Sequence, residues 1–146
     1  MRRGVTLLEL LIVLTILGVV AGVTVPAMVR TVDDDDLSKA TREVVTLLTR
    51  TRATAIERAE RVTLTLDPRT RRYWVYADSA RTGTGITSGA LSIPLGVELL
   101  VTGERVHFAF VLTGVGSGDP LALELGARAN VITVEQWTGE VHVVAR

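Results

Sequence analysis

An apolar run near the N-terminus constrains this chain more than any other feature. Residues 4–29 read GVTLLELLIVLTILGVVAGVTVPAMV, in which Glu9 is the only ionisable side chain. From residue 10 to residue 29 nothing is charged. About twenty apolar residues are what a helix needs to cross a bilayer core of roughly 30 Å, so a membrane-spanning helix is expected. Arg2 and Arg3 stand ahead of the run, and the positive-inside bias puts the N-terminus in the cytoplasm and the chain beyond residue 29 outside. A secretory signal peptide starts with the same basic flank, but its apolar core is shorter and ends in a small-residue cleavage site that this run lacks. Glu9 is the misfit: a carboxylate within a membrane helix is costly and marks a functional position with a partner.

Gly4, Val5, Thr6, Leu7, Leu8 and Glu9, followed by the long apolar span, resemble the class III signal of type IV pilins and of the pseudopilins of type II secretion. The family most often has Phe where this chain has Val5. The resemblance implies that a prepilin peptidase cuts after Gly4 and methylates the new N-terminal amine of Val5. It also implies that Glu9 lies near the methylated amine of a neighbouring subunit in a filament. Since a buried charge is tolerable only when paired, a subunit one step out of register would leave two charges unmatched, and Glu9 would set the register. Pro26 sits where the family commonly has a helix-bending proline, and with Gly18 and Gly22 it makes a region expected to kink or break locally. Gly18 and Gly22 also form a G-x-x-x-G spacing that permits close helix contact.

The 146 residues are enough for one domain plus an anchor. Sixteen basic residues balance sixteen acidic ones, and losing Arg2 and Arg3 with a leader would leave fourteen against sixteen. Such a balance gives no overall reason to bind nucleic acid or anionic lipid. With no cysteine, disulfides, thiol catalysis and cysteine-ligated metal are excluded.

The expected organisation is a leader at 1–4, a transmembrane helix at 5–29, its amphipathic continuation at 30–61 and an antiparallel β domain at 62–146. The run Asp33, Asp34, Asp35 and Asp36 is better suited to solvating the membrane exit than to chelating calcium, because four consecutive side chains cannot converge on one ion. Leu37, Ala40, Val44, Leu47, Leu48, Thr51, Ala55 and Ala59 fall on one helical face. Arg50, Arg52, Arg58 and Arg61, interleaved with acids, read as a solvated surface.

From residue 61 the hydrophobic period becomes two. A hairpin is expected over 61–67 and 71–77, turning at 68–70, then a long loop over 78–90. Further strands are expected at 91–95, 97–101, 106–112, 121–125, 131–135 and 140–144, with turns at 102–104 and 137–139. The fold class is α+β: a long N-terminal transmembrane and amphipathic helix packed on an antiparallel β-sheet domain, as in pilins. This layout resembles the H-type minor pseudopilins and their FimT-like relatives, tightly at the N-terminus and loosely in the body.

Little in the body suggests chemistry. The loop from Gly114 to Pro120 lacks both the Lys-Ser/Thr pair and the helix that a phosphate cradle requires, and reads as a hairpin connection. His107 and His142 stand alone in strand-like runs, too few for zinc, and Ser117 and Asp119 could join a histidine only through the fold. Tyr73, Trp74, Tyr76 and Trp137 suggest core packing, with a subunit contact as the alternative. No cofactor and no enzymatic activity are expected. The resemblance implies a minor pseudopilin of type II secretion that helps initiate or tip the pseudopilus. Its partners would be prepilin peptidase, other pilin-like subunits, the inner-membrane assembly platform and the bilayer. The alternative is a FimT-like minor pilin of a type IV pilus, involved in assembly or in DNA binding and uptake, for which the adjacent pair Arg71 and Arg72 is the main basic feature.

Overall fold

The structure, a computed structural model, describes residues 7–78 and 85–146, and the backbone alone for residues 20–34. Among the described residues one helix, α1 (Leu7–Arg58), precedes nine strands: β1 (Val62–Asp67), β2 (Arg72–Ala77), β3 (Thr87–Ala90), β4 (Glu98–Val101), β5 (Val106–Phe110), β6 (Gly116–Gly118), β7 (Leu121–Leu125), β8 (Arg128–Val134) and β9 (Val141–Ala145). The chain divides into residues 1–35 and residues 36–146, and the division falls inside α1.

In the second unit α1 buries Leu37, Ala40, Val44, Leu48, Thr51 and Ala55, a stripe spaced by three and four residues. Thr41 is buried as well and remains satisfied: its hydroxyl donates to the Leu37 carbonyl at 2.8 Å and accepts from Asn130 Nδ2 at 2.9 Å. Ala59, expected on the same face, is exposed. It lies past the helix end with φ 51°, and the Ala59 and Glu60 N–H groups close the last turn on the Ile56 and Ala55 carbonyls.

The strands form two antiparallel sheets: sheet 1 in the order β3-β2-β1-β5-β6 and sheet 2 in the order β4-β7-β8-β9. Side chains from both and from the second half of α1 share one core, centred on Leu48, Leu64, Phe108, Phe110, Leu123 and Ile132. The expected hairpin is β1–β2, with Asp67 opposite Arg72. Two expectations are corrected. Residues 91–95 bury Leu91 and Ile93 alternately but form no ladder, because they cross from sheet 1 to sheet 2. Their polar groups bond elsewhere: Arg71 donates to the Ile93 carbonyl at 2.9 Å and the Val97 carbonyl at 3.2 Å, and Ser92 N–H donates to Glu43 Oε1 at 2.6 Å. The loop over 78–90, in turn, ends in β3, paired to β2.

Strand β6 lies within the segment expected to be only a connection, and its glycines have a steric cause. A Cβ on Gly116 would stand 2.6 Å from Phe110 Cδ1, and one on Gly118 would collide with the Phe108 ring. These are the residues paired across the ladder. At the opposite edge Tyr73 lies over its partner Gly89 in the same way. Both edges of sheet 1 are therefore glycine strands covered by an aromatic ring from the inner neighbour.

Asp67 holds the β1–β2 turn by accepting the N–H groups of Arg69 at 2.9 Å and Thr70 at 3.2 Å. The Thr70 N–H contributes most to keeping its carboxyl below the ordinary value of 3.8. A depressed carboxyl adds stability above its unfolded pKa and loses it as pH falls through the folded value. The melting temperature should therefore drop on acidification through this range, and Asp67→Asn should flatten that slope. An Asp67→Asn melting profile with the wild-type slope would contradict this role for the turn.

Candidate functional site

The first unit holds the residues that the sequence marks for processing and assembly. Gly4 and Val5 lie outside the described residues. Glu9 sits in the first turn of α1, where a carboxylate complements the positive end of the helix. Residues 7–19 are exposed all round, Leu7 at 83% and Ile12 and Val13 at 48%. A helix that is apolar on every face belongs in a lipid or protein environment. Among the described residues no helix is long and apolar enough to cross a membrane, and the side chains of residues 20–34 are outside that description. Gly18 has open space where a Cβ would project, so no packing within the chain requires glycine there.

α1 is assigned as helix without interruption through Gly18, Gly22 and Pro26. A proline removes one rung of the ladder, and the rungs on either side are enough to carry the helix past it.

The second unit contains a clamp that sequence reasoning missed. Arg52 leaves the buried stripe of α1 and donates from Nε to the Gly114 carbonyl at 2.8 Å and from Nη2 to the Thr138 carbonyl at 2.9 Å. One guanidinium thus ties the β5–β6 turn of sheet 1 to the β8–β9 turn of sheet 2. Gly114 and Gly139 have φ of 83° and 68°, and a Cβ on Gly139 would strike the Gly114 carbonyl oxygen. Reading Arg52 as part of a solvated surface is corrected accordingly. The signal was present, since Leu48, Thr51, Arg52 and Ala55 follow the spacing of a single helical stripe.

Of the other residues singled out in the sequence, His142 is exposed and lies 3.2 Å from Glu135 Oε2. Trp74 faces outward under Arg105, whose guanidinium carbon is 5.6 Å from the ring centroid, while Tyr73 packs on the core. His107, Ser117 and Asp119 do meet, around one open depression on the outer face of sheet 1. His107 Nδ1 pairs with Thr65 Oγ1 at 3.0 Å. Among the described residues no group of three or more His, Cys, Asp or Glu side chains could hold a metal ion.

A family model, the prokaryotic N-terminal methylation motif, matches residues 1–25. No curated protein matches the chain. Among solved structures, the type IV minor pilin FimU of Pseudomonas aeruginosa superimposes with a TM-score of 0.61 at 13% identity, over 76% of this chain and 90% of that one. The minor pseudopilin EpsH from the type 2 secretion system of Vibrio cholerae gives 0.55 at 14% identity, over 71% and 92%. The chain has the fold of these two proteins. The α+β architecture of the pilin-like fold is thereby established, and both a pilus protein and a secretion protein share it.

In this pilin-like fold the clamp has a measurable weight. Replacing Arg52 with Ala removes two charge-assisted bonds to backbone carbonyls and should cost about 1–3 kcal/mol in chemical denaturation. Lysine cannot fork to both carbonyls, so Arg52→Lys should recover less than half of that loss. Full recovery by lysine would reduce the clamp to a simple point charge.

Proposed function

We propose that this chain is a minor pseudopilin of type II secretion, a structural subunit that joins the pseudopilus through α1 and helps initiate or tip the filament for protein export. The observation that carries the reading is residues 7–19 of α1: exposed apolar side chains on every face, with the acidic Glu9 in the first turn, inside the segment matched by the methylation motif.

In this reading prepilin peptidase removes residues 1–4 after Gly4 and methylates Val5. Residues 5–29 wait in the inner membrane with the N-terminus cytoplasmic, and 30–61 continue the helix toward a periplasmic β domain at 62–146. An assembly platform then moves the subunit from lipid into a bundle of neighbouring helices. Both environments accept an apolar surface, so the transfer exchanges one nonpolar contact for another. The pairing of Glu9 with a neighbour's N-terminal amine fixes which exchange is completed. Gly18, Gly22 and Pro26 would let the helix bend or unwind during the transfer.

A second reading, a FimT-like minor pilin of a type IV pilus, is supported by the likeness to FimU. Nucleic-acid binding in that role would draw on surface cations. Arg71 is already engaged with two backbone carbonyls, which leaves Arg72 as the outward half of the pair. A salt-sensitive gel shift would favour the pilus reading, since phosphate contacts release counterions.

Filament incorporation tests the proposal directly. Glu9→Ala should insert in the membrane at wild-type level yet be lost from sheared filaments by at least about tenfold, the equivalent of roughly 1.4 kcal/mol. Gly18→Ala gains about 1 kcal/mol of helix propensity and should also assemble less well. Wild-type incorporation of Glu9→Ala would remove the basis for a register role.

A further inference from the structure

The clamped turns border an open surface of the β domain. Trp137 is 82% exposed, and it stands on the β8–β9 turn that Arg52 and Gly139 hold in place. Beside it two depressions, of about 310 and about 410 Å³, share Arg61, Ala109, Ser117 and Gln136 and so form one groove. Trp137 lines one end; His107 and Asp119 line the other.

The chemistry of this groove is specific. The side chains of Arg61, Ser117, Asp119 and Gln136 make no hydrogen bond among the described residues. His107 is tethered through Nδ1 to Thr65, leaving Nε2 for a ligand. Together they offer donors and acceptors of every kind, with one cation, Arg61, against one carboxylate, Asp119. A nucleic acid needs an excess of positive charge, which this balance does not provide. A drug-like apolar ligand needs an enclosed apolar pocket, and this groove is open, with polar side chains interspersed along its lining. A pyranose chain needs both features present: a flat aromatic face for the C–H face of a sugar ring, and mixed donors and acceptors for the hydroxyls at its rim. A rigid turn presenting an indole also loses little freedom on binding.

We propose that the groove between Trp137 and Asp119 binds a neutral polysaccharide segment, with one sugar ring stacked on Trp137 and its neighbour bonded to Gln136, Arg61, Ser117 and Asp119. The site does not depend on the filament reading, because it lies wholly within residues 36–146. The two sources of such a chain, an N-acetylated wall glycan and a plain glucan, differ by the acetamido group.

The test is a titration of the full chain in a detergent whose headgroup is not a sugar. Trp74→Phe leaves Trp137 as the single indole, and its emission is followed against chitohexaose and cellohexaose. The expected result is a saturable change at roughly millimolar concentration, unaffected by added salt. Response to chitohexaose alone would indicate the N-acetylated source, and response to cellohexaose the plain one. Calorimetry with Trp137→Ala and Gln136→Ala in the wild-type background should show affinity reduced at least about tenfold and about threefold, respectively. Absence of saturation with both hexasaccharides would overturn the proposal, as would affinity unchanged in Trp137→Ala. Salt-sensitive binding of an oligothymidylate in their place would assign the groove to nucleic acid instead. An emission change that follows protein concentration alone would assign it to subunit contact.

Discussion

Two sheets that share no strand can enclose one core only if something holds them together at the places where the chain crosses. Here the second half of α1 does this along its length. Its buried stripe meets side chains from both sheets, and two arginines act at the margins. Arg52 binds one turn from each sheet, and Arg71 binds the crossing segment between β3 and β4. Backbone carbonyls that a crossing would otherwise leave without ladder partners are thereby satisfied, which matters because each unsatisfied buried group costs on the order of 1–3 kcal/mol. With no disulfide possible in a chain that lacks cysteine, these contacts and the core carry the fold.

The edges of sheet 1 follow a second rule. Gly89, Gly116 and Gly118 sit opposite Tyr73, Phe110 and Phe108, and each ring occupies the space a side chain would need. Large ring and missing side chain form one unit, so the core extends to the sheet edge without exposing the phenylalanines. Short strands such as β3 and β6 also offer little backbone for unwanted pairing.

The helix, its buried face and the β1–β2 hairpin were legible in the sequence, because a period of 3.6 changes to a period of two near residue 61. β6 was not, since glycine is depleted in strands and the reason for Gly116 and Gly118 lies on β5. The division into two sheets was hidden for a similar reason: residues 91–95 alternate like a strand, but their hydrogen bonds go to Arg71 and Glu43. Charged side chains that bond backbone far away in sequence give no periodic signal. Arg52 was the partial exception, visible from its place four residues after Leu48, at the border of the buried stripe. Of the processing and assembly residues, Glu9 and Gly18 are described within α1. Gly4 and Val5 were legible only as a motif.

The apolar side chains of residues 7–19 are exposed and find no core among the described residues, which makes the purpose of this stretch the central question. The most direct measurement is the intact mass of the protein expressed with and without a prepilin peptidase. The account predicts that the peptidase removes residues 1–4 and that one methyl group is added at Val5. A chain that keeps residues 1–4 in the presence of an active peptidase would contradict it, and the role given to Glu9 would fall with it.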